Sequence, residues 1–328
     1  MTGPLLSPRT PQDPAIPTTL RPLIAGIDIG GTTTQVVVCS DDLTVLNNAE
    51  AATPALEGGR AMVGAALDTL APLLARTPGR LVGAGIGAAG VVDSANGRIL
   101  VASDSFRGWA GFAVTAAVEE ALGVPAFLDN DVNAFLYGEV YAGAVRGEAD
   151  VLGMTLGTGV GGALWTNGAL FVGPHGAAGE IGHIPGFGDL PCSCGGRGHL
   201  ETLASGRSIG ARYADRTGQR LTAREVAEAA AHGDEDALAV YRAAGAGIAH
   251  AIVITAGVVD ITTVVVGGGV SRAWPLLEPA ILSALAVEPP VSGHPVRLVR
   301  AALASDSVAV GAAARARREL GTEVRATA

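Results

Sequence analysis

The sequence predicts an α/β protein built as two duplicated lobes with a cleft between them. Two observations carry the prediction. The chain has 328 residues, enough for about two domains of ordinary size. Each half also opens on the same order of strand, glycine turn and strand. In the first half these are Leu23–Ile29, Gly30-Gly31 and Thr34–Cys39; in the second they are Val151–Leu156, the turn from Gly157, and Gly162–Trp165. No literal repeat accompanies this order.

The elements follow from local pattern. Residues 43–48 supply a third candidate strand, and Gly59–Arg76 has helical spacing with Met62, Leu67, Leu70, Leu73 and Leu74 as its apolar face. Leu81–Ile86 is a strand ending in a Gly/Ala loop, and Phe112–Leu122 is a helix closed by Gly123 and Pro125. Ala126–Leu128 is a short strand that runs into Asp129-Asn130-Asp131 and a further helix. In the second half, Ala169–Val172 is a short strand, and Thr222 with Glu225 forms a capping box. A long helix is expected over Asp236–Ala256, a strand over Ile261–Val266 before Gly267-Gly268-Gly269, and a terminal helix over 306–319.

Composition narrows the function. The chain is 48% hydrophobic and 16% charged, so it can bury a core. Its net charge is −9, which argues against nucleic-acid or anionic-membrane partners. All 22 basic residues are arginine, so any phosphate must be held by backbone N–H groups, hydroxyls, arginine or a metal. Three cysteines are too few for a disulfide framework, which points to a reducing, cytoplasmic compartment. Residues 1–22 carry six prolines and no apolar leader segment, and read as a disordered tail. No uninterrupted apolar run approaches membrane-spanning length.

Gly157-Thr158-Gly159-Val160-Gly161-Gly162 matches a dinucleotide-type glycine pattern, but a strand follows it where that motif requires a helix. Asp28-Ile29-Gly30-Gly31-Thr32-Thr33-Thr34 has the same character. Either turn alone is equally well an ordinary hairpin. Together, opening two similar halves, they suit phosphate oxygens approached by bare backbone and threonine hydroxyls. Asp28 beside the first turn can hold a magnesium ion, through water. Asp131 fits two readings at its junction, a proton acceptor facing the cleft or a helix N-cap.

With these residues in view, the chain resembles the ROK sugar kinases, within the group sharing the actin/hexokinase-like (ribonuclease H-like) fold. The resemblance runs from about Ile24 to Ala313. It rests on Asp28–Thr32, Leu128–Asn133, Leu156–Gly162, the Glu-x-Gly-His of Gly179–His183, Cys192–Glu201 and Val266–Gly269. Segment lengths look similar to bacterial glucokinases and N-acetylhexosamine kinases. The resemblance implies an N-terminal lobe over 23–128 completed by the terminal helix 305–320, and a C-terminal lobe over 129–304 holding a zinc loop at 183–201.

It further implies ATP-dependent phosphorylation of the primary (6-) hydroxyl of a hexose, best matched by glucose, with Asp131 as catalytic base. Gly90, Asn130, Asp131, Glu180, His183 and Glu201 would bind the sugar; Asp28, Gly30, Gly31, Thr32, Thr33, Thr158, Gly159, Gly268 and Gly269 would bind Mg-ATP. An N-acetylhexosamine or a sugar-like cyclitol is the alternative substrate, and polyphosphate the alternative donor. Many relatives carry lysine where this chain has Thr33. Asp129 lies outside the family pattern.

His183, Cys192, Cys194 and His199 have the spacing H-x8-C-x-C-x4-H, with glycines at 195, 196 and 198 to fold the loop tightly. Two thiolates and two imidazoles make a closed tetrahedral zinc set; the family usually has cysteine at the position of His199. A metal-free loop with buried thiols is the alternative. The partner expected is a small sugar or polyol, with a homodimer or dimer of dimers implied by relatives. The 22 residues before the first strand are too few for a DNA-reading helix-turn-helix. Retention of Asp28, Asn130, Asp131 and Glu180 opposes a non-catalytic sensor. Arg315, Arg317 and Arg318 read as a solvated helix face, Trp109 as packing, and His175 as an ordinary surface or core residue.

Overall fold

Two five-stranded sheets repeat one plan. In the first, β1 (Pro22–Ile29), β2 (Thr33–Ser40) and β3 (Val45–Ala52) form an antiparallel meander, and β4 (Arg80–Ala88) and β7 (Ala126–Asn130) extend it in parallel beyond β1. In the second, β8 (Val151–Leu156), β9 (Val160–Thr166) and β10 (Ala169–Phe171) form the meander, and β11 (Thr263–Gly267) and β12 (Arg297–Arg300) extend it. The orders β3-β2-β1-β4-β7 and β10-β9-β8-β11-β12 are thus one topology used twice, as the strand–glycine–strand openings predict. The molecule has the duplicated, two-lobed α/β fold of the actin/hexokinase type. This computed structural model describes residues 20–326, with side chains to residue 321. The expected N-terminal tail lies outside the described residues up to position 19, and Pro22 already belongs to β1.

The first sheet buries one face under α1 (Gly59–Arg76) and α2 (Val114–Leu122). In α1 the stripe Met62, Ala66, Leu70 and Leu73 is buried, while the expected Leu67 and Leu74 flank it half-buried. Each fully buried large side chain contributes about 1.5–3 kcal/mol. A small ribbon, β5 (Val91–Asp93) with β6 (Arg98–Val101), hangs after β4 and was without a signal in the sequence pattern. Trp109 is fully buried, stacked near Phe106 and Phe112, and donates from Nε1 to the Ala89 carbonyl at 3.1 Å.

The second sheet is covered on one face by α4 (Glu201–Ala204), α5 (Gly206–Thr217), α6 (Ala223–Ala231), α7 (Glu235–Val259) and α8 (Trp274–Val287). The Thr222/Glu225 capping box opens α6 as predicted. By length and composition, α7 and the segment Gly269–Val287 are both apolar enough to cross a membrane, although neither is an uninterrupted apolar run. The reason for α7 is burial: 56% of its most apolar window lies inside the protein, and a core helix is apolar all round. In α8, Pro275 occupies the first turn, where a missing N–H costs nothing.

Two helices lie between the sheets. α3 (Asp131–Tyr141) packs on the second sheet through Phe135, Leu136 and Val140, and α9 (Ser307–Ala326) packs on the first through Ala309, Val310 and Ala313. They cross closely because glycines remove side chains at the contacts. A Cβ on Gly311 would overlap the Ala134 carbonyl, and one on Gly85 would overlap that of Ala312.

Candidate active site

Parallel strands deliver their C-terminal ends to one edge, where open α/β sheets place ligands. In the first sheet Ile29, Ala88 and Asn130 end level with one another in the register. β1 therefore presents Asp28, β4 presents the loop to Gly90, and β7 presents Asn130 followed by Asp131. In the second sheet β8 presents Gly157–Gly159 and β11 presents Gly267–Gly269.

The two glycine turns are tight, with Gly30 N bonded to Thr33 O at 3.1 Å and Gly157 N to Gly159 O at 2.9 Å. Gly31, Thr32, Thr33 and Thr158 are exposed. Gly268, at φ +85°, lies against the Leu156 backbone, so Gly268 and Gly269 sit beside the second turn. Gly206, the first residue of α5, donates to the Gly157 carbonyl at 2.8 Å; Ser205 caps that helix. The Ser205-Gly206 pair was missed from sequence, although serine ahead of a helical run is a capping signal.

The cap of α3 corrects one of the two readings of Asp131, the N-cap. Asn130 is the N-cap: its Oδ1 accepts from Val132 N at 2.8 Å and Asn133 N at 3.4 Å. Its Nδ2 donates to the Gly90 carbonyl at 2.9 Å, which ties β7 to the loop after β4. Asp131 is the first helical residue and accepts from the neighbouring Val132 N at 3.0 Å.

Burial pushes the Asp131 carboxyl up to about 6, opposed by its backbone hydrogen bonds and reinforced by Glu180. Burial, and then the charge of Asp131, pushes Asp28 up to about 8. Among the described residues neither carboxylate has a basic partner. Asp28, Asp131 and Glu180 are thus a cluster of acids that calls for a cation or for proton uptake.

A cavity of about 520 Å³ lies beside this cluster. Of the expected sugar-binding residues it is lined by Gly90, Asn130 and Glu180, and also by Asn133, Tyr137, His175 and Arg315. A groove of about 490 Å³ between α7 and α8 holds none of the chemistry-bearing residues above. Asp131, His183 and Glu201 are not among its lining residues, although Asp131 adjoins Asn130, which is. Glu201 instead accepts from Val160 N at 3.1 Å and Ser193 Oγ at 2.7 Å, linking the second glycine turn to the cysteine loop.

The cysteine loop brings His183, Cys192, Cys194 and His199 together, with one ligand atom from each all within 4.8 Å of one another. Cys194 Sγ lies 3.3 Å from His199 Nδ1, and Cys192 Sγ lies 3.8 Å from His183 Nδ1. Such separations suit four donors around an ion held at about 2.0–2.3 Å. Gly196 makes room for the His199 imidazole: a Cβ there would stand 2.6 Å from His199 Cε1.

The arginines of α9 depart from expectation. Arg317 is exposed near Asp41, but Arg315 and Arg318, three residues apart on one face, turn inward. Arg315 Nη1 pairs with the buried Asp129, and Arg318 lies over Trp165 and donates to Tyr137 Oη at 3.2 Å. A solvated face fails here because that side of α9 packs against α3.

Comparison with known proteins gives one consistent result. The model of the ROK family matches residues 24–319. The glucokinase of Halalkalibacterium halodurans is 35% identical over 276 residues, covering 77% of this chain and 82% of the relative. The N-acetylmannosamine kinase of Citrobacter koseri is 32% identical over 290 residues, covering 88% and 96%. The crystal structure of a ROK family glucokinase from Streptomyces griseus, in complex with glucose and AMPPNP, superposes with a TM-score of 0.78 at 30% identity, covering 90% of this chain and 99% of that one.

Proposed function

Because the chain belongs to the ROK family, we propose that it is an ATP-dependent sugar kinase acting on the primary (6-) hydroxyl of a hexose, with glucose as the first substrate to test. The observation that carries this reading is Asp131: a carboxylate at the strand-to-helix junction, next to the cavity-lining Asn130 and facing the charges of Asp28 and Glu180, with its carboxyl raised to about 6. A base for a sugar hydroxyl needs that combination, ionised near neutrality yet basic enough to take a proton.

Asp131 accepts the proton of the 6-hydroxyl as its oxygen attacks the γ-phosphorus; the bond to the bridging oxygen breaks and ADP leaves. Glu180, Asn130 and the backbone at Gly90 hold the remaining hydroxyls. Backbone N–H groups and hydroxyls of Gly30, Gly31, Thr32, Thr33, Thr158 and Gly159 cradle the phosphates without lysine, and Gly268 and Gly269 accept the adenosine. Magnesium, held near Asp28, would supply charge neutralisation on the phosphates. The lobes are taken as 23–128 with α9, and 129–304.

His183, Cys192, Cys194 and His199 would hold a structural zinc, which fixes the loop carrying His183 and Glu201. Metal analysis should find about one zinc per chain; none would leave the metal-free loop. A cytoplasmic location fits three free cysteines, and a homodimer or dimer of dimers is the assembly proposed.

The test is ADP release with Mg-ATP across glucose, mannose, N-acetylglucosamine, N-acetylmannosamine and cyclitols, with polyphosphate as a second donor. Turnover is expected, fastest with glucose; no turnover with any polyol sinks the reading. Faster turnover of N-acetylmannosamine assigns the alternative substrate.

A further inference from the structure

The start of α3 is held by a carboxylate with no part in the chemistry above. Asp129 is the next-to-last residue of β7 and only 1% exposed. Its Oδ1 accepts from the backbone N–H of Asn130 at 2.9 Å and from Nδ2 of Asn133 at 2.8 Å. It therefore grips the chain on both sides of Asp131, one residue before it and two after. Its Oδ2 accepts from Arg315 Nη1, from a side chain on α9 that is itself 16% exposed.

We infer that Asp129 and Arg315 are positioning residues, a buried ion pair that aims the Asp131 carboxylate by fixing the strand-to-helix junction from which it projects. The physical requirement runs through charge. A carboxylate this buried needs a counter-charge, and the pair ties the junction to α9. Without the Arg315 guanidinium, Oδ1 can still accept from Asn130 N–H and Asn133 Nδ2, but Oδ2 loses its anchor on α9 and the junction gains freedom. Arg315 can act at this range because Gly85 and Gly311 seat α9 tightly against β4 and α3.

The inference rests on the reading of Asp131 as the base. Two variants that avoid an unpaired buried charge test it: Arg315→Lys, and the double variant Asp129→Asn with Arg315→Gln. Both should unfold near the parental temperature and keep the KM for ATP within about twofold. The kcat should fall by about tenfold or more in the double variant and less in Arg315→Lys, because small misplacements of a reacting group are costly. Hydrogen exchange at the amides of 130–133 should accelerate in both. Parental exchange there with kcat within about twofold of parent overturns the inference, as does a fall in kcat accompanied by parental exchange. The exchange measurement needs no substrate. A parent chain that turns over no sugar therefore defeats the kinase reading, while the exchange result still decides this one.

Discussion

Helix α3 carries a carboxylate near each end, and the two are treated in opposite ways. Asp131, at its start, is half-buried, bonds only to its immediate chain neighbours, and faces the like charges of Asp28 and Glu180. Glu139, two turns on, is fully buried and saturated. One of its oxygens accepts from Ala144 N at 2.8 Å and Ala302 N at 3.0 Å, the other from Leu303 N at 3.1 Å and Ser307 Oγ at 2.9 Å. A carboxylate whose acceptor capacity is filled by backbone donors holds the fold together. One whose carboxyl is raised by burial and a neighbouring like charge keeps its basicity for an incoming proton.

Removing the chemistry should give the largest effect. Asp131→Asn is expected to lower kcat by about 10²–10⁴-fold, with sugar binding by calorimetry retained. In the parent, the activity should fall as pH drops through about 6, because protonation of Asp131 removes the base. The variant's residual rate should lack that limb. A variant with parental kcat would make the contrast between the two ends meaningless. The same substitution should not lower the unfolding temperature at neutral pH, since an ionised Asp131 is disfavoured in the folded state.

The other end should break in the complementary way. Glu139→Ala leaves four buried donors without partners, and with about 1–3 kcal/mol for each unsatisfied group a loss of about 3 kcal/mol or more is expected. Urea unfolding of the Glu139→Ala protein measures it. Glu139→Gln, which keeps one acceptor oxygen, should lose less. Equal stability of parent and Glu139→Ala would show that the four bonds are replaced by water and that Glu139 holds nothing.

Which of these features can be read from sequence follows from the distance between partners. The strands around both glycine turns, the Thr222/Glu225 box and the close spacing of His183, Cys192, Cys194 and His199 are local, and their patterns survive folding. Asn130 and Asp131 stand at a recognisable junction, although which of them caps the helix was not decidable until the backbone was placed. Asp129 and Arg315 meet across 186 positions, and the donors of Glu139 come from 144, 302, 303 and 307. Apart from Glu139 with Ala144, no window of the chain contains those pairs. The arginines of α9 illustrate the point: their triplet reads as solvated, yet two of the three face α3, a direction that only tertiary packing sets. Glu201 is a milder case. Its place next to the cysteine loop is legible, but its bond to Val160 N reaches back 41 positions.

The smallest expected effect sharpens the contrast most, because it reverses sign between the two kinds of carboxylate. Asp28 has its carboxyl raised to about 8 from an ordinary value of 3.8. Between those values the folded chain holds a proton that the unfolded chain releases, so stability falls as pH rises from about 4 to about 8. Asp28→Asn cannot ionise and escapes that fall. Without added nucleotide or metal, the variant should match the parent near pH 4 and unfold at a higher temperature at pH 8, by about 2–4 °C for each kcal/mol relieved, measured by thermal scans at both pH values. Glu139→Gln should unfold below the parent at pH 8. Neutralising one carboxylate therefore stabilises the protein while neutralising the other weakens it. A parent whose stability stays flat from pH 4 to 8, or an Asp28→Asn protein no more stable than the parent at pH 8, would mean that the acids of the site impose no strain on the fold.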